Sequence, residues 1–196
     1  MTKIILATSS KSRIKAFKSL GLEFIAQASY IDEYNRDRPK EPKELVKYLA
    51  KKKAETVAKN FSNDIVIGFD SVGYFDNRIL EKPRSKSEAF DRLRSLSGNM
   101  HEYYTGIYMI NLESRENLSE VVKTRIYMRK LNDKEINRYL GQDNFNAHVL
   151  GYNPLFEYSS TFIYKIKGSH TNLIHGIPLG TIVRMLNYIA YKFLCA

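Results

Sequence analysis

Ile4-Ile5-Leu6-Ala7-Thr8-Ser9-Ser10-Lys11-Ser12-Arg13 decides the fold class. The four apolar residues read as a short buried strand and Thr8-Ser9-Ser10 as a polar turn. A helix follows, running to Leu20 with Gly21 as its stop. A strand feeding a helix through such a turn is a unit of α/β architecture. Free backbone N–H groups at the helix start attract an anion. Arg13 stands close to the apolar stripe of Ile14, Phe17 and Leu20. A cation in the first turn opposes the helix dipole, so either a bound anion or an acidic partner is expected beside it.

Working outward, Ile25 to Asp37 is irregular and carries the acids Asp32 and Glu33. From Pro42 to about Lys59 the chain reads as a strong helix, with Leu45, Val46, Leu49, Ala50, Ala54 and Val57 on one stripe. Lys53 lies near the middle of that stripe. An ammonium there either snorkels to water at the rim of the core or serves a cleft as a phosphate-binding group. Ile65 to Phe69 reads as a second apolar strand ending at Asp70, a position suited to Mg²⁺ coordination or water activation. Ile79-Leu80 is a short strand candidate before Lys82-Pro83.

Ser85 and Glu88 form a capping box for a helix burying Ala89, Leu93 and Leu96 and stopping near Gly98. Tyr103–Ile110 and Val121–Arg129 read as strands, the second alternating Val122, Thr124, Ile126 and Met128 on one face. Asn132 and Glu135 cap a helix to about Leu140-Gly141. Gln142 to Pro154 is loop-like, Thr161 to Ile166 a strand, and Gly180 to Phe193 a terminal helix. The mixture predicts one domain over residues 1–196, an α/β or α+β sheet with flanking helices.

With 31 Lys and Arg against 21 Asp and Glu, the net charge is +10. Such a chain attracts anions: nucleic acid, anionic lipid or small phosphates. No zinc-finger spacing or long basic block favours DNA, and no segment approaches the roughly 20 apolar residues of a membrane span. The single cysteine, Cys195, has no thiol partner, and a reducing cytoplasm is the expected setting. His101, His148, His170 and His175 lack ligand-like spacing. GxGxxG, GxxxxGK[ST] and GxSxG are absent.

The motifs in order resemble the Maf family of nucleoside triphosphate pyrophosphatases over nearly the whole chain. Leu6 to Arg13 is similar to its LASxSPRR opening, Asp32-Glu33 to its early acidic motif, and Leu49-Ala50 with Lys53-Ala54 to LAxxKA. Ile67 to Val72 is similar to IxADTVV, Lys82-Pro83 to KP, Leu96-Ser97-Gly98 with His101 to LSGxxH, Thr105-Gly106 to TG, and Gly176-Ile177-Pro178-Leu179 to GLPL. The resemblance implies a Maf/Ham1-like (inosine triphosphatase-like) fold, with two lobes around a central cleft. It implies hydrolysis of the α–β phosphoanhydride to a nucleoside monophosphate and pyrophosphate. Ser10, Arg13, Lys53 and Lys82 would grip phosphate, Glu33 and Asp70 would hold Mg²⁺ or Mn²⁺, and Asp70 would activate the attacking water. It further implies a small nucleotide as partner, no nucleic acid or membrane, a homodimer, and a place in clearing non-standard nucleotides and restraining cell division.

Three departures stand out. Lys11 and Ser12 replace the family's first proline and arginine, Ser71 replaces its threonine, and Asn146 to Pro154 stands where the family has KAGAYGIQG. Asn146 takes the place of the lysine, and Asn153, expected to touch substrate, that of the glutamine. An altered base preference is expected. The rival expectations are a nucleotide-binding protein without catalysis and a basic nucleic-acid-binding module.

Overall fold

The computed structural model describes residues 2–142, 145–152, 154 and 157–194. Asn153 and Cys195 therefore lie outside the described residues. The elements run β1 (Ile4–Ala7), α1 (Lys11–Lys18), β2 (Phe24–Ala26), α2 (Pro42–Ala58), β3 (Ile65–Phe75), β4 (Arg78–Leu80), α3 (Lys86–Leu96), β5 (Met100–Asn111) and β6 (Glu116–Met128). There follow α4 (Asp133–Gln142), 3-10 turns at Phe145–Ala147 and Glu157–Phe162, β7 (Ile163–Lys167), α5 (His170–His175) and α6 (Leu179–Leu194). Among the described residues, no helix is long and apolar enough to cross a membrane.

Seven strands among the described residues form one mixed sheet in the order β2-β1-β3-β5-β6-β7, with β4 also pairing with β3. β2 and β3 flank β1 in parallel, and β3, β5, β6 and β7 are successively antiparallel. This is the mixed α/β sheet with flanking helices that the sequence predicts.

β3 runs on to Phe75, so Asp70 lies inside a strand and not at its end, contrary to the sequence reading. What stops near Asp70 is the neighbour. β5 covers one edge of β3 from Val66 to Tyr74, so β1 and β4 share the other edge. β1 pairs as far as Ala7 with Gly68, and β4, running antiparallel, pairs from Arg78 opposite Phe75 to Leu80 opposite Gly73. Residues 69–72 thus have no strand beside them on that edge, and the cleft opens there. Ligands of open α/β sheets favour such a place, beyond the carboxyl end of a strand where the pairing changes.

The alternation of β3 sorts its side chains onto two cores. Ile65, Ile67 and Phe69 pack with Phe17 of α1 and Ile182, Met185 and Ile189 of α6. Val66 and Val72 lie under α2, among Leu45, Val46, Leu49, Ala50 and Ala54. A further core joins α3 and α4 to the far ends of β5 and β6, through Leu93, Leu96, Ile126, Ile136 and Tyr139. Both expected capping pairs are present. Ser85 Oγ accepts from the Glu88 N–H, and Asn132 and Glu135 bond each other's N–H reciprocally. β2 and α5 were not foreseen.

At two glycines α2 brings its backbone, and not only its side chains, against the sheet. A Cβ on Gly68 would stand 2.1 Å from the Ala50 carbonyl oxygen, and one on Gly106 would stand 2.2 Å from that of Val46. Neither neighbour is a flexible side-chain end. Gly68→Ala or Gly106→Ala is expected to cost about 3 kcal/mol or more, the upper range of overpacking. Urea unfolding would read it as a lowered midpoint, and an unchanged midpoint would show that the helix does not rest there.

Candidate active site

Asp70 shares its face of β3 with Gly68 and Val72, so its carboxylate points beneath α2. The stripe of α2 brings Lys53 over it. Lys53 Nζ lies 2.7 Å from Asp70 Oδ1 and 2.9 Å from Glu33 Oε1. The Lys53 and Asp70 side chains are only 10% and 8% exposed, whereas that of Glu33 is 45% exposed. The lysine therefore does not snorkel to water; two acids hold it. Burial pushes the Asp70 carboxyl above the ordinary carboxylate value, against the opposing pull of Lys53 and Arg13.

Ser71, one residue on, faces the opposite side of the sheet. There Arg13 reaches it from α1: Nη2 donates to Ser71 Oγ at 2.8 Å, Nη1 to the Phe69 carbonyl at 3.3 Å and Nε to the Gly176 carbonyl at 3.0 Å. The conflict of a cation in the first turn is thus met by two carbonyls and a hydroxyl. Neither an acid nor an anion is needed to hold Arg13 in place. The Phe69 carbonyl belongs to the stretch of β3 edge that no strand covers. Gly176 caps α5 at φ 63, in the left-handed region that glycine enters freely, and so aims its carbonyl at Arg13. Thr105 Oγ1 lies 2.7 Å from Ser71 Oγ and extends the network to β5.

Ser10 is the N-cap of α1, with Oγ 3.4 Å from the Arg13 N–H. Thr8, Ser9 and Ser10 line the same hollow as Arg13, Glu33, Lys53, Asp70 and Lys82, a cavity of about 680 Å³. Lys82 is exposed and forms no salt bridge among the described residues. Every described site residue expected from the sequence therefore borders one cavity; Asn153 lies outside the described residues. His148, Val149, Leu150, Tyr152 and Pro154 of the departing segment form part of its wall.

Sequence reasoning missed Tyr30. It borders the cavity, is 90% exposed and holds φ at 48°. A bulky side chain in the left-handed region is a strained arrangement of the kind that clusters at ligand sites. His101 takes no place in the cleft lining. Burial lowers its pKa to about 4, so it is neutral at pH 7, and Nε2 lies 2.8 Å from the Tyr152 hydroxyl. Glu33 and Asp70 converge on one point, but no group of three or more His, Cys, Asp or Glu suited to a metal occurs among the described residues.

Removing the ammonium would leave Asp70 as an uncompensated buried charge. Lys53→Met is expected to destabilise the fold by about 3–5 kcal/mol. Adding Asp70→Asn to that variant should recover part of the loss. Urea unfolding of the single and double variants measures both, and a double no more stable than Lys53→Met would break the pairing.

A family model described as Maf-like protein matches residues 3–189. A nucleoside triphosphate pyrophosphatase of Nostoc punctiforme is 34% identical over 187 residues, covering 95% of this chain and 93% of the relative. A dTTP/UTP pyrophosphatase of Pelotomaculum thermopropionicum is 33% identical over 194 residues, covering 99% and 100%. Among solved structures, a nucleoside-triphosphatase/dITP/XTP pyrophosphatase of Mycobacterium abscessus is 9% identical, covers 98% and 96%, and has a TM-score of 0.47. The Staphylococcus aureus Ham1 protein is 20% identical, covers 65% and 72%, and has a TM-score of 0.43. The match of the family model along almost the entire sequence places the chain in the Maf-like family.

Proposed function

We propose that this protein is a metal-dependent nucleoside triphosphate pyrophosphatase that cleaves between the α and β phosphates, with Asp70 as its base. One observation carries the reading: Arg13, Lys53 and Lys82, from three elements, border one cavity with Glu33 and Asp70. A triphosphate concentrates several negative charges over a few ångströms, and cations from separate segments can engage it along its length. The N-terminal turn of α1, capped by Ser10, adds backbone N–H groups to the same wall.

Glu33 and Asp70 both come within 3 Å of Lys53 Nζ, so they converge enough to share a small cation. Mg²⁺, or Mn²⁺ in its place, takes one or two protein carboxylates and completes its shell with phosphate oxygens and water. Bound by Glu33 and Asp70, it would offset phosphate charge and acidify a water. Asp70 accepts the proton of the attacking water. With a cation on the two acids, Lys53 would be released to offer its charge to the phosphates. Lys82, without a salt bridge among the described residues, offers its charge to the phosphates. Pyrophosphate leaves without a strong acid, so the neutral, buried His101 has no part in the step.

The part of the wall made by His148, Val149, Leu150, Tyr152 and Pro154 supports a second element of the reading: the preferred base is other than that of the dTTP/UTP relatives. A homodimer and a role in clearing modified nucleotides complete the proposal. A panel of dTTP, UTP, CTP and methylated or damaged nucleotides with Mg²⁺, scored for monophosphate and pyrophosphate, tests it. Turnover is expected on at least one nucleotide and to fall about 10³-fold in Asp70→Asn with unchanged circular dichroism. Binding without pyrophosphate release would favour a nucleotide-binding role, and an unchanged dTTP and UTP preference would remove the altered base choice.

Tyr30 gives that panel a structural counterpart, since a base laid on its exposed ring gains about 1–3 kcal/mol from stacking. Tyr30→Asn is expected to raise KM for nucleotides at least fivefold and also to raise Tm, because asparagine tolerates the left-handed backbone. Unchanged KM would show that the ring touches no base.

A further inference from the structure

Three segments that border the cavity lack strand pairing with one another: residues 28–34 with Glu33, residues 81–82 with Lys82, and residues 148–152. Two arginines outside the cavity lining join them. Arg38 Nη1 donates to the Glu33 carbonyl at 3.2 Å and to Glu81 Oε1 at 2.6 Å, while Nη2 donates to Glu81 Oε2 at 3.2 Å. Its guanidinium also lies over the Tyr34 ring at 5.1 Å. Arg92 continues the chain of contacts. It donates to the Glu81 carbonyl, to the Val149 carbonyl at 2.6 Å and to Glu88 Oε1 at 2.8 Å. Glu81 is thus held at both ends, its carboxylate by Arg38 and its carbonyl by Arg92.

Each contact of Arg38 falls on or beside a cleft charge. One is the backbone of Glu33 itself, and the other is the side chain of the residue before Lys82. We propose that Arg38, through its two-pronged bond to Glu81, is a positioning residue. It fixes the span across the cleft mouth between the acid Glu33 and the cation Lys82, and so the fit of a polyphosphate between them. This rests on the polyphosphate reading of the cleft. Two parallel N–H···O bonds set orientation as well as distance, which a lysine at the same place cannot do. The pair is partly exposed, and such ion pairs add little to global stability. Its effect is therefore on geometry: a displacement of about 1 Å at a substrate-holding group costs up to 10²-fold in rate.

The test compares Arg38→Met, Arg38→Lys, Lys82→Ala and the Arg38→Met/Lys82→Ala double with the parent. Three readouts are taken: calorimetric Kd for inorganic tripolyphosphate with Mg²⁺, kcat/KM on the best nucleotide, and Tm. Arg38→Met and Arg38→Lys are both expected to weaken tripolyphosphate and lower kcat/KM about tenfold, with Tm moving less than about 3 °C. The double variant should lose little more than the worse single, since Arg38 acts through the placement of Lys82. Unchanged tripolyphosphate affinity in Arg38→Met, full recovery in Arg38→Lys, or additive losses in the double would each overturn the proposal. A parent that binds tripolyphosphate but hydrolyses no nucleotide would sink the pyrophosphatase reading alone, because the affinity comparison still decides the role of Arg38.

Discussion

The site depends on a helix lying backbone-to-sheet. α2 can approach β3 and β5 this closely only because Gly68 and Gly106 present no Cβ to the carbonyls of Ala50 and Val46. The same register places Asp70 directly opposite Gly106. The bare patch that admits the helix thus adjoins the carboxylate that the helix must cover. A helix held off by even one methyl on each strand would carry Lys53 away from Asp70. The ion pair at 2.7 Å is therefore a product of packing as much as of charge.

The uncovered stretch of β3 has a second consequence. Alternation directs Asp70 to the α2 face and Ser71 to the face of α1 and α6. Arg13 and Lys53 consequently reach adjacent residues of one strand from opposite sides of the sheet. Between the ends of β1 and β4, at Ala7 and Leu80, no described strand fills the edge, so both faces meet in one hollow. Arg13 also ties the α5–α6 junction to β3, which gives Gly176 and Ile177 of the late motif a physical role. One turns the backbone to offer its carbonyl, and the other anchors in the core.

Features carried by period and capping were legible in the sequence. α2 declared itself through a long stripe, and Lys53 within it signalled an inward charge. Asp70 was found, but its setting was misread. The chain after it, Ser71-Val72-Gly73-Tyr74, has no run of apolar residues, and only the partner strands show that pairing continues on β5. β2, three residues of which two are exposed, and α5, six residues long, are too short to impose a pattern. The partners of Arg13 are mostly backbone carbonyls, which residue types do not reveal. Arg38 and Glu81 lie 43 positions apart and share no motif.

The net charge of +10 says little about how the cleft works. Its lining sets Lys11, Arg13, Lys53 and Lys82 against Glu33, Asp70 and Glu81, close to balance. Most of these charges already have partners: Lys53 has two acids, Glu81 has Arg38, and Arg13 has two carbonyls and a hydroxyl. A lone anion would gain little by displacing them, since each broken bond leaves a group to be solvated again. A polyanion arriving with a divalent cation is different. It offers acceptors to the lysines while the cation offers charge to the acids, so both halves of the Lys53–Asp70–Glu33 cluster can re-partner together. Under the proposed function, a near-neutral, internally paired cleft of this kind would favour a metal-bound triphosphate over the free phosphates around it, which a simply basic pocket would not do.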